Sequence, residues 1–115
     1  MKKFIILLLF LPVALQAATN GKNNTEIAKE CIALKNAILP ILNAQTNEEC
    51  RLKIDLAKTY IDAAATSILG DNRSLAKDYV QAGAGGLAYA ELLDCEQPQN
   101  ISILKTKADE ILNDF

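Results

Sequence analysis

The chain contains neither histidine nor tryptophan. Without histidine it lacks the side chain that titrates near neutrality, the usual general base and the commonest zinc ligand. Every Ser/His or Cys/His catalytic arrangement goes with it. Only three serines occur, Ser67, Ser74 and Ser102, and none has the flanking residues of a nucleophile elbow. No basic patch is present, which argues against nucleic acid and against anionic membrane surfaces. No stretch reads convincingly as a strand: Glu49 to Leu56 alternates polar and apolar residues, but Cys50, Ile54, Ala57 and Ile61 carry the pattern on at helical spacing. The Gly83-Ala84-Gly85-Gly86 run shares only its composition with a phosphate loop, lacking both the following Lys-Ser/Thr and a preceding strand. These absences predict a protein that is not an enzyme and that uses no cofactor and no metal.

Lys2 and Lys3 precede an unbroken apolar run from Phe4 to Leu11, followed by Pro12 and the small-residue step Leu15-Gln16-Ala17. This is the pattern of a secretory signal peptide, with an apolar core too short to span a bilayer. Residues 1–17 are therefore expected to be removed. Residues 18–115 then form a single domain of 98 residues with net charge −4, just large enough for one modest core. No later apolar run approaches membrane-spanning length, so no stable membrane insertion is expected. The predicted location is the periplasm or the extracellular space.

Four amphipathic helices follow from the apolar spacing. The first is expected to start at Asn24 or Thr25 and to bury Ile27, Cys31, Leu34, Ile38 and Ile41 or Leu42. Pro40 lies inside it and cannot donate to the residue four earlier, which predicts a kink or a restart near Leu39. The second has capping-box spacing at Thr46 and Glu49. Its stripe is Cys50, Ile54, Ala57, Ile61, Ala64 and Ile68, broadened by Leu52, Leu56 and Tyr60, with Gly70 in the left-handed closing position. The third starts near Asp71 or Asn72 and turns Leu75, Tyr79, Ala82 or Gly83, Gly86, Ala90 and Leu93 inward. After a connector containing Pro98, a fourth runs from about Asn100 with Ile101, Leu104, Ala108, Ile111 and Phe115 on one face. The predicted fold is all-α, a four-helix bundle with short connections.

Export makes one disulfide the expectation among the three cysteines Cys31, Cys50 and Cys95. Antiparallel helices rise equally on either side of their turn, so Cys50 falls level with residue 93, within one helical turn of Cys95. Bridging Cys31 to Cys50 would span an axial gap of roughly 13 Å, far beyond disulfide reach. The expected pair is Cys50–Cys95, stapling the helical hairpin. Cys31 is left as a buried thiol or, alternatively, as the link of an intermolecular disulfide in a homodimer.

The remaining polar patterns have ordinary readings. Asp55, Lys58 and Asp62, and likewise Lys105 and Asp109, are spaced as exposed helix pairs. Asn23-Asn24-Thr25, Asn72-Arg73-Ser74 and Asn100-Ile101-Ser102 match the glycosylation acceptor pattern, but each sits where a helix begins and can cap it. Gly83, Gly85 and Gly86 each cost roughly 1 kcal/mol against alanine in a helix interior. They are expected to give room for the Tyr60 ring, to form a hinge, or to offer a close-approach surface to a partner.

Three cysteines in this order, then Cys95-Glu96-Gln97-Pro98 and the closing helix from Ile101 to Leu112, resemble the Rap/Tai immunity proteins of type VI secretion. That likeness implies a secreted helical protein that binds and blocks a cell-wall hydrolase toxin. The chain lacks the family's Cys-x-x-Tyr-x-x-Gly run after the second cysteine and its fourth cysteine. The cysteine-bracketed hairpin is also similar to acid-stress chaperones of the HdeA and HdeB kind, although this chain has an extra first helix and an acidic last one. The functional expectation is an inhibitor or immunity protein acting on a protein partner. The alternatives are an acid-stress chaperone and a carrier that holds an apolar ligand near the glycines.

Overall fold

The computed structural model describes residues 22–115. The proposed leader at 1–17 lies outside the described residues. Four helices follow one another: α1 (Asn24–Asn43), α2 (Glu48–Leu69), α3 (Arg73–Leu92) and α4 (Pro98–Asn113). α2 packs on both α1 and α3, and α3 packs on α4. α1 and α4 close the circuit with the thinnest contact of the four. No strand occurs among the described residues, and the fold is the disulfide-stapled four-helix bundle expected.

The helix starts depend on asparagine. Asn23 accepts from the Glu26 amide, Asn47 from the amides of Glu49 and Cys50, and Asn72 from the amide of Leu75. Each satisfies donors that the first turn leaves free. α1 starts at Asn24 as expected, but two expected caps are corrected. α1 is capped one residue earlier than Asn24, and α2 is capped by Asn47, not by a Thr46–Glu49 box. The Thr46 hydroxyl instead reaches Glu96 across to the next connector, at 3.4 Å. Asn100 caps nothing, since α4 begins two residues earlier at Pro98 and the Asn100 amide bonds the Gln97 side chain. Pro98 opens this helix without losing a bond, because its missing N–H would have had no partner in the first turn.

α1 continues through Pro40 as one helix, in place of a restart at Leu39. The turn after α2 also differs from expectation. Gly70 has φ −87, and the left-handed residue is Asp71 at φ 62. Aspartate is among the few non-glycine residues that tolerate this region. The Asp71 carboxylate accepts from the Asn24 side chain at 3.2 Å.

The core residues expected on α1, on α4 as far as Ile111, and in the narrow stripe of α2 are all buried, while Phe115 packs on the core partly buried. The broadening of α2 is not. Leu52, Leu56 and Tyr60 are exposed. On α3 the buried set is Ala76, Val80, Gly83, Ala84, Leu87 and Ala90. Gly83 and Ala90 face inward as expected, but the rest of the stripe is rotated by about one residue: Tyr79 and Leu93 are only partly buried and Leu75 faces solvent.

Candidate protein-binding face

α2 and α3 form an antiparallel hairpin closed at its open end by the Cys50–Cys95 disulfide, whose Cα atoms are 5.7 Å apart. The 45-residue separation corresponds to about 4 kcal/mol of loop-closure entropy. Gln45 secures the same end. Its side chain is 3 % exposed, donates to the carbonyls of Ile41 and Glu96, and accepts from the Glu96 amide, each at 2.9 Å. One glutamine thus pairs with a peptide unit as a strand neighbour would and ties the α1–α2 loop to the α3–α4 connector. Nothing in the residue spacing marks Gln45, because Glu96, with which it makes two of its bonds, lies 51 residues away.

The opposite end is fastened by Arg73. Its guanidinium bonds the Asn24 side chain at 2.6 Å and the carbonyls of Lys22 and Asp114 at 3.2 and 3.1 Å, and it lies over the Phe115 ring. Beside it Lys22 pairs with Glu30 and Asp114. Burial holds the Glu30 carboxyl above its usual value, its Asp114 neighbour adds to the rise, and the Lys22 ammonium opposes it.

The hairpin between these two fastenings turns an apolar surface to solvent. α3 carries two apolar stripes. One is the core stripe; the other, Leu75, Tyr79, Ala82, Gly86, Tyr89 and Leu93, recurs at steps of four and three and lies along the outer seam with α2. Leu52, Leu56 and Tyr60 flank that seam from α2. The Tyr60 and Tyr79 rings stack with centroids 6.3 Å apart, and the Lys53 ammonium sits 4.7 Å from the Tyr89 ring centroid. All three tyrosines of the chain therefore share one face. Leu52 is 55 % exposed and Leu92, at the rim, 86 %.

The glycines divide by role. A Cβ on Gly83 would come 2.7 Å from Cδ1 of Ile61, and one on Gly86 would come 3.3 Å from the Ala57 Cβ. Both allow α3 to approach α2 closely, against Ile61 and Ala57 and not against the Tyr60 ring. Gly85 has nothing within 4 Å of its Cβ direction and is exposed. Packing among the described residues gives no reason for a glycine there.

Cys31 is a buried free thiol in the core stripe of α1, and burial pushes its pKa up to about 11. A bond to a second chain through Cys31 would require α1 to turn its inner face outward. A groove lies elsewhere, between α1 and α4. It has a volume of about 570 Å³, with Leu34, Ala37 and Ile111 on its floor and Glu30, Lys107 and Glu110 on its walls. It is not near the glycines, whose space Ile61 and Ala57 fill.

No group of three or more potential metal ligands occurs among the described residues, and none of their helices is long and apolar enough to cross a membrane. No family model, curated protein or solved structure matches the chain.

Proposed function

We propose that this is an exported helical protein that binds and blocks a protein partner through the outer face of the α2–α3 hairpin. One observation carries the reading: Tyr60 and Tyr89 are exposed on the outer seam of a disulfide-locked hairpin, with Tyr79 partly buried and stacked on Tyr60 and exposed leucines around them. Tyrosine is enriched where proteins bind one another because it offers a large, rigid, amphipathic contact at small entropic cost. A locked hairpin presents such side chains preorganised, which lowers the cost of association. The resemblance to immunity proteins makes a secreted cell-wall hydrolase the class of partner to test first. In this reading the chain acts by occlusion, without catalysis, cofactor or metal.

The chaperone alternative needs a bundle that loosens in acid. Glu30 works in the other direction. Its raised pKa means that the folded chain holds this proton more tightly than the unfolded one, so its contribution is present below pH 4.5 and lost as pH rises. The α1–α4 groove, where a carried ligand could sit, is partly open and lined by Lys22, Glu30, Lys107, Glu110 and Asp114 beside its apolar residues.

The test is affinity capture on the disulfide-intact chain, followed by an assay of the captured protein for cell-wall hydrolysis. The expected result is a stoichiometric hydrolase that the chain inhibits and that Tyr89→Ala no longer retains. Capture unaffected by Tyr60→Ala, Tyr89→Ala and Leu92→Ser together would overturn this face as the binding site.

A further inference from the structure

The hairpin face is self-complementary about its own centre. Lys53 on α2 and Asp78 on α3 are solvent-accessible and make no ion pair within the described residues. The α2–α3 register is set by Gly83 opposite Ile61 and Ala57, and by Gly86 opposite Ala57 and Lys53. On that register Asp78 lies level with residue 65 of α2. Lys53 and Asp78 are thus about 18 Å apart along the hairpin at 1.5 Å per residue, and Gly85 lies within about one residue of their midpoint.

We infer that this face is covered, in the absence of the partner protein, by a second copy of the chain packed antiparallel about a two-fold axis that passes beside Gly85. A two-fold axis perpendicular to the helices sends each level to its mirror level, so Lys53 of one copy meets Asp78 of the other, and the reverse, in an isologous interface. The competing parallel arrangement would place Lys53 against its own counterpart, and the like charges repel. The same axis gives Gly85 a purpose. With no Cβ at the point of closest approach, the two α3 backbones can come together where the tyrosines on either side would otherwise hold them apart. The α3 outer stripe, small at its centre and large toward its ends, fits this arrangement. Dimerisation and partner binding then use the same surface and exclude one another. The inference rests on the reading of this seam as a docking face and adds which molecule occupies it first.

Sedimentation of the disulfide-intact chain over a wide concentration range tests it directly. The expected result is a reversible monomer–dimer equilibrium. Lys53→Asp or Asp78→Lys alone should weaken the dimer by about tenfold or more, and the two substitutions together should restore most of the lost affinity. Gly85→Cys should form an intermolecular disulfide under air, the two thiols giving up two protons and two electrons to dissolved oxygen, seen as a dimer band on a non-reducing gel. A chain that is monomeric throughout overturns the proposal. So does a dimer indifferent to both charge reversals, or one that Gly85→Cys fails to link. Partner capture by the same variants separates the two readings. If the parent chain is monomeric and Tyr89→Ala loses the hydrolase, the dimer falls and the binding face stands. If the charge swap rescues a dimer but no variant captures a protein, the dimer stands and the inhibitor reading falls.

Discussion

Two glycines two positions apart on α3 should respond oppositely to the same substitution. Gly83→Ala pushes a methyl into Ile61, which is fully buried and cannot yield freely, so a loss of about 1–3 kcal/mol is expected. Gly85→Ala meets nothing and should stabilise the monomer by about 0.5–1 kcal/mol through helix propensity alone. Urea midpoints of the two variants check both signs. Cys31 gives a second residue-level prediction. The folded chain holds its thiol proton up to about pH 11, whereas an unperturbed thiol ionises near pH 9. Its raised pKa therefore contributes stability that is full below pH 9 and lost as pH climbs toward 11, a fall of about 2–3 kcal/mol. Cys31→Ala should remove that alkaline slope while lowering stability at neutral pH, because the side chain fills the core of α1. The residue spacing placed Cys31 inside correctly. It could not distinguish Gly83 from Gly85, because that difference depends on which atoms of α2 lie opposite.

At the level of elements, the hairpin is held at one end by a covalent bond and a buried amide, and at the other by a guanidinium. Reducing the disulfide should lower stability by about 4 kcal/mol if the chain-entropy account holds, and the open end should then exchange amide protons first. Gln45→Leu strands the Glu96 amide and carbonyl away from their partner. The expected cost is about 1–3 kcal/mol, with hydrogen–deuterium exchange rising at residues 94–97 before α3. The disulfide was legible because helical rise is constant, so a register follows from turn positions alone. Gln45 and Arg73 were not, since each joins segments more than forty residues apart through single side chains that no periodicity marks. The caps shifted by a residue for a related reason. Asn, Thr and Asp compete for each helix start, and Thr46 was drawn off to Glu96 by the neighbouring connector.

On the scale of the whole molecule, the second apolar stripe of α3 separates what folds the chain from what it offers to others. Leu87→Ala, in the core stripe, should cost about 2–5 kcal/mol. Tyr89→Ala and Leu92→Ser, two and five residues further on, should change stability by about 0.5 kcal/mol or less, since neither is buried. Thermal melts of the three variants test whether the outer face belongs to the fold at all. A large loss for Leu92→Ser would mean that it does. The apolar spacing of α3 predicts an inward stripe of Leu75, Tyr79, Ala82 or Gly83, Gly86, Ala90 and Leu93, of which Gly83 and Ala90 are buried and Leu75 is exposed. α3 has a second stripe, and Ala76, Val80, Gly83, Leu87 and Ala90 face the core, with Gly83 set directly against Ile61 of α2.

Helix number and type, the core faces of α1, α2 and α4, and the Cys50–Cys95 pairing were determined by the sequence alone. These rest on local spacing and on a rise per residue that does not vary with context. Only the tertiary structure decided which stripe of α3 faces inward, which glycines are needed for packing, and which side chains fasten the ends of the bundle. Those outcomes depend on the distance between two helices, and no single helix's pattern contains that distance.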